Sequence, residues 1–174
     1  MIDPQYTQIA DWLKTLIGAV VGFTAAIATD VIKTRIDERH KRKGMRRALY
    51  YELSAILGVV DAALEVPNPT DEQAEKLLKV ITSIGFDAYN RAKSQPEIFY
   101  GMKEAATFEV LYLPVIAIKN HYVFPGVGQA ALITARGFRR SLVEAVTTKK
   151  LDGRWFDINE LRGENKTALE KQNS

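Results

Sequence analysis

Eight lysines and arginines fall within fifteen positions of this chain: Lys33, Arg35, Arg39, Lys41, Arg42, Lys43, Arg46 and Arg47, opposed only by Asp37 and Glu38. Clustered ammonium and guanidinium groups bind phosphate oxygens, so the chemistry this run offers is electrostatic and not covalent. Beside an anionic membrane leaflet each such side chain contributes about 1 kcal/mol of attraction, which holds the segment at the lipid and fixes topology. Repeated around an oligomer, the same charges make a cationic ring able to hold the phosphates of a nucleotide or a nucleic-acid strand. Arg136, Arg139 and Arg140 form a smaller second patch on what reads as an outward helix face.

Residues for covalent or metal chemistry are sparse. The absence of cysteine removes disulfides, thiolate ligands and thiol nucleophiles together. His40 and His121 are too few and too far apart for a histidine metal site; His40 reads as part of the basic run and His121 as a helix C-terminal residue. Ser54, Ser83, Ser94 and Ser141 have no neighbouring base or elbow motif. Gly126-Val127-Gly128 before a helix lacks the third glycine and the Lys-Ser/Thr pair that make a phosphate loop specific, and reads as a helix-start turn. Glu52 and Glu109 lie near apolar faces, best read as helix-boundary residues or partners of an arginine. No enzyme, cofactor or metal is expected.

The basic run follows Thr15 to Ile32, eighteen residues whose only formal charge is Asp30. At about 1.5 Å per residue they span roughly 27 Å, close to a hydrocarbon core once Lys14 and Lys33 snorkel. Trp12 sits where an interfacial aromatic belongs. A cleaved signal peptide is opposed by the acidic amino-terminal region and by the basic run on the wrong side, although Ala26-Ile27-Ala28 matches a cleavage pattern. The first 32 residues carry a net charge of −2, residues 33 to 47 carry +6 and the remainder −1. By the positive-inside rule the amino terminus is expected outside and the rest in the cytoplasm of a bacterial inner membrane. Gly18, Gly22, Ala26 and Thr29 recur on one face as a small-xxx-small pattern, which predicts self-association within the membrane. Asp30, near the cytoplasmic end, is expected to pair with Lys33 or Thr34, or to line a path between protomers.

These features must be positioned by helices. The expected class is all-α: a tail at 1–11, a span at 12–33, a basic junction and stalk helix at 34–66, further bundle helices within 70–150, and a short helix and flexible tail at 151–174. Leu49, Leu53, Ile56, Val60 and Ala63 alternate four- and three-residue steps, giving a coiled-coil-like stripe, and Pro67-Asn68-Pro69 ends that helix. Thr70 with Gln73 predicts a capping box for a helix facing inward through Ala74, Leu77, Leu78, Ile81, Ile84 and Ala88. Ser94 with Glu97 predicts a second box, opening a helix that runs to a kink or break at Pro114. The stretch from Phe108 to Ile118 is β-branched and aromatic, yet without a hairpin partner it reads as helix. A loop is expected over 121–128. A last helix over about 129–150 places Ala131, Ala135, Phe138, Leu142 and Val146 inward. A short turn is expected at Asp157, capped against Glu160, before a disordered tail from Arg162.

The stretch from Asp30 through Lys33-Thr34-Arg35, the basic run and Arg46-Arg47-Ala48-Leu49-Tyr50-Tyr51-Glu52-Leu53 resembles a group of uncharacterised bacterial proteins with one amino-terminal span, a basic junction and a helical cytoplasmic domain. The likeness covers residues 12 to 65. Some proteins of this kind are membrane effectors in anti-phage operons, including the membrane component of Hailong-type systems. The resemblance implies an oligomer gated by a cytoplasmic signal and able to breach the membrane. It implies no catalytic residues. A passive anchor recruiting a cytoplasmic protein partner is the alternative.

Overall fold

A computed structural model describes residues 4–66, 69–121 and 128–157, with side chains from Trp12 onward except at 121. Every regular element among them is helical: α1 (Pro4–Leu64), α2 (Asp71–Thr82), α3 (Asp87–Lys93), α4 (Pro96–Tyr100), α5 (Ala105–His121), α6 (Gly128–Thr147) and a 3₁₀ turn (Gly153–Trp155). The chain divides into two compact units, residues 1–41 and 42–174, and α1 contributes to both.

Among its described side chains the first unit has no core. Its side chains from Trp12 to Lys41 are all exposed, and it contains the one helix among the described residues long and apolar enough to cross a membrane.

The second unit is organised around the heptad stripe of α1, where Leu49, Leu53, Ile56 and Val60 are fully buried and Ala63 nearly so. Phe108, Leu111, Tyr112 and Val115 of α5, and Ala135, Phe138 and Leu142 of α6, join them in one cluster. Burying a side chain of this size contributes about 1.5–3 kcal/mol, so this seam dominates the stability of the unit. α2 packs on α6 and α5, and α4 on α3 and α5. The segment after α6 is tied back to α1: the Tyr50 hydroxyl accepts the Asp152 backbone N–H at 2.9 Å, while its ring meets Phe108 and Phe156 edge-on.

The Thr70–Gln73 capping box is present in both directions. Other boundaries depart from expectation. The helix predicted to carry Ile84 and Ala88 stops at Thr82; Ser83 caps it and Gly85 precedes a new helix, placing Ala88 in α3. Leu77 is only partly buried. Ser94 is the C-cap of α3, its hydroxyl donating to the Arg91 carbonyl, so the predicted Ser94–Glu97 box does not form; α4 starts at Pro96 after Gln95. α5 begins only at Ala105 and then continues through Pro114. Proline removes the hydrogen bond to the carbonyl four residues earlier; that residue, Val110, lies on the exposed face, where water can satisfy it. The last helix ends at Thr147, three residues earlier than predicted, and Lys149 adopts a left-handed φ of 57°. A short turn that the sequence did not suggest forms at Gly153–Trp155 under an Asp152 cap, and the turn expected from Asp157 runs into residues outside those described. Glu160, the tail from Arg162, the tip of the 121–128 loop and Pro67-Asn68 lie outside the described residues.

Candidate membrane segment and basic junction

Trp12, Leu16, Ile17, Val20, Val21, Phe23, Ile27, Val31 and Ile32 are each between 45% and 69% exposed, and none of the apolar stretch is buried. A contiguous apolar surface of this extent needs cover from lipid or from other chains. Its polar atoms are arranged for such cover. Thr24 Oγ1 donates to the Val20 carbonyl at 2.9 Å and Thr29 Oγ1 to the Ala25 carbonyl at 2.8 Å. In hydrocarbon a hydroxyl must find its partner within the helix, and both do. Thr34 Oγ1 reaches the Asp30 backbone carbonyl at 2.8 Å, so the tie between these residues runs through the main chain.

Gly18 and Gly22 stand in open space: a Cβ added at either meets nothing within 4 Å. Neither glycine is required by a contact within this chain. Ala26 and Thr29 share the exposure of the whole stretch.

The eight basic residues divide into two groups. In the first unit Lys33, Arg35, Arg39 and Lys41 are exposed, as is His40. In the second, Lys43 and Arg47 are exposed while Arg42 and Arg46 are half-buried. The Arg47 guanidinium lies 5.0 Å from the Trp155 ring centre and 5.6 Å from that of Tyr51, a double cation–π contact. Arg46 reaches the buried carboxylate of Glu104 at 3.1 Å. Gly101 accommodates Arg42, since a Cβ there would stand 2.8 Å from its Cζ. Sequence reading treated the run as one block and missed Glu104 altogether. A signal was present: Arg42 and Arg46 continue the four- and three-residue steps of Leu49 and Leu53 backwards, which turns them to the same inward face.

Within the second patch, Arg136 and Arg140 are exposed, but Arg139 is turned inward, its Nε donating to Asp61 at 2.7 Å and joining α6 to α1. Among the described residues the hydrogen-bond partners of Glu52 and Glu109 are backbone N–H groups, tyrosines and a lysine, not the arginine that was one of the two expectations. Glu52 accepts the backbone N–H of Ala88 at 2.6 Å and Tyr89 at 3.1 Å, capping α3 from α1, and takes the Tyr112 hydroxyl at 2.7 Å. Burial, then the Glu52 charge, push the Tyr112 phenol well above its usual range. Burial likewise raises Tyr50, with the nearby Glu104 charge adding to it. Glu109 accepts from Lys93 at 2.5 Å and from Tyr100 at 2.9 Å. These bonds hold the Glu109 carboxyl below its usual range and the Lys93 ammonium above its own, so Lys93 is a charged strut between α3, α4 and α5. Gly128 opens α6 against α2, where an added Cβ would stand 2.9 Å from the Ala74 Cβ, which accounts for its small size. Among the described residues no cluster of three metal-ligating side chains occurs.

Comparison with known proteins identifies no relative: no family model, no curated protein and no solved structure matches the chain.

Proposed function

We propose that this chain is an oligomeric bacterial inner-membrane effector, anchored by α1 with its amino terminus outside, and gated through a cytoplasmic helical bundle. Breaching the membrane in an anti-phage or stress response is its most concrete role. The observation carrying this reading is the uncovered apolar stretch of α1 leading directly into exposed cations. Lipid covers such a surface, and a basic flank retains the following chain on the cytoplasmic side. Glycines with no packing role inside the chain are explained by close approach of a second span.

One observation favours a second reading. The Thr29 hydroxyl is spent on its own backbone, so the small-residue face is dry, as suits a passive anchor that recruits a cytoplasmic protein.

Gly22→Leu separates the two. The substitution meets nothing within the chain and makes the segment more apolar, so insertion is retained while helix approach is blocked. An effector loses crosslinked oligomer and membrane depolarisation at unchanged protein level, whereas Phe23→Leu retains both. Crosslinking that finds a monomer in the native chain, or an unchanged oligomer in Gly22→Leu, contradicts assembly through this face. Assembly without any depolarisation favours the anchor.

A further inference from the structure

Glu104 is the one fully buried charged side chain among the described residues, 1% exposed at the end of the Gly101–Glu104 turn between α4 and α5. Two cations flank it. Arg46 stands 3.1 Å from Oε2, and the exposed Lys103 stands 3.7 Å from Oε1. Among the described residues neither oxygen has a hydrogen-bond partner, and the buried Nε of Arg46 has none either. A buried carboxylate beside arginine ordinarily completes a two-bond fork, and one left without such bonds is costly to hold. The turn is nevertheless pressed onto the arginine face of α1. A Cβ at Gly101 would stand 2.8 Å from Arg42 Cζ and 2.9 Å from the Glu97 carbonyl oxygen.

One guanidinium and one ammonium at a poorly bonded carboxylate, with a second guanidinium packed on Gly101 of the same turn, have the composition of a phosphate site with a weaker anion in it. We propose that Arg42, Arg46 and Lys103 form a binding site for a phosphate group, which Glu104 occupies from within the chain until a phosphate-bearing ligand displaces it and swings the Gly101–Glu104 turn outward. This rests on the reading of the basic junction as the contact for anionic lipid or nucleotide, and supplies the gate that reading needs. A phosphate offers more acceptor oxygens than a carboxylate and suits the guanidinium fork. The displaced Glu104 returns to water, which relieves its desolvation. A lipid headgroup and a soluble phosphate present the same chemistry, and the experiment distinguishes them.

The chain contains no cysteine, so a single introduced thiol reports the turn. Met102, within the turn, is 4% exposed, and Ala135, in α6, is fully buried. In the full-length chain in phosphatidylcholine vesicles, Met102→Cys is expected to react slowly with a maleimide. Addition of phosphatidylglycerol to the vesicles tests the headgroup source; ATP or inorganic phosphate added to neutral vesicles tests the soluble one. Either source is expected to accelerate labelling by about tenfold through a shift toward the open turn, while Ala135→Cys stays protected. Adding Glu104→Gln to Met102→Cys is expected to give fast labelling with no anion present. If that variant also exposes Ala135→Cys, it has unfolded, and the two anion arms in the otherwise native background decide. Labelling indifferent to both anion sources overturns the proposal. Flotation of the chain with neutral vesicles alongside such a result leaves the membrane reading intact, so the two failures are distinct.

Discussion

At the scale of single residues, the second unit is set by side chains that are small or bonded where a larger or unbonded one would not fit. Gly128→Ala places a methyl group 2.9 Å from the Ala74 Cβ, and the α2–α6 contact must spread. We expect a loss of about 1–3 kcal/mol, read by denaturant unfolding in detergent. Tyr112 makes stability depend on pH at the alkaline end. Its folded phenol is held above the ordinary value of 10.0, so the unfolded chain loses that proton first. The contribution is complete below about pH 10 and falls as pH rises beyond it. Tyr112→Phe is therefore expected to cost about 1 kcal/mol at neutral pH, through the lost bond to Glu52, and to flatten the alkaline limb of the stability profile. An unchanged alkaline slope contradicts this assignment. These partnerships were poorly legible in the sequence, because a carboxylate thirty-six residues from the helix it caps leaves no local spacing to read.

At the scale of elements, periodicity was informative wherever a helix had one continuous neighbour. The stripe from Leu49 to Ala63 and the inward face of α6 are buried as their spacing predicts. Periodicity failed over residues 83–104, where the chain turns three times between short helices. There an apolar step of three or four carries across a break as readily as along a helix, so Ile84 and Ala88 looked continuous with α2. Ser94 read as an N-cap because its type suits either end of a helix, and the fold uses it at the end of α3. Burial ranks the consequences: Leu53→Ala, in the fully buried seam, is expected to cost about 2–5 kcal/mol, and Leu77→Ala, partly buried, distinctly less. Chemical denaturation of both variants checks the order, and equal losses contradict the assigned seam. Arg139→Ala is expected to cost about 1 kcal/mol or less, because its pair with Asp61 is partly open to solvent at 27% and 32% exposure.

At the scale of the whole molecule, sequence alone revealed the long apolar stretch and its basic flank, since both are properties of composition over a window. What it did not reveal is that the flank is two things. Lys33, Arg35, Arg39 and Lys41 are exposed, whereas Arg42 and Arg46 are drawn into the fold of the second unit. Charge reversal at Lys33, Arg35, Arg39 and Lys41 is expected to weaken retention of the following chain on the cytoplasmic side without unfolding the second unit, read as mixed topology with an unchanged unfolding midpoint. In the proposed function α1 crosses the membrane with its amino terminus outside. Single cysteines at Gln5 and Gln172 in this cysteine-free chain test it most directly, by labelling intact spheroplasts with a membrane-impermeant maleimide. Gln5→Cys is expected to label in intact spheroplasts, and Gln172→Cys only after lysis. Labelling of Gln172→Cys from outside, protection of both, or recovery of the chain in the soluble fraction contradicts this topology.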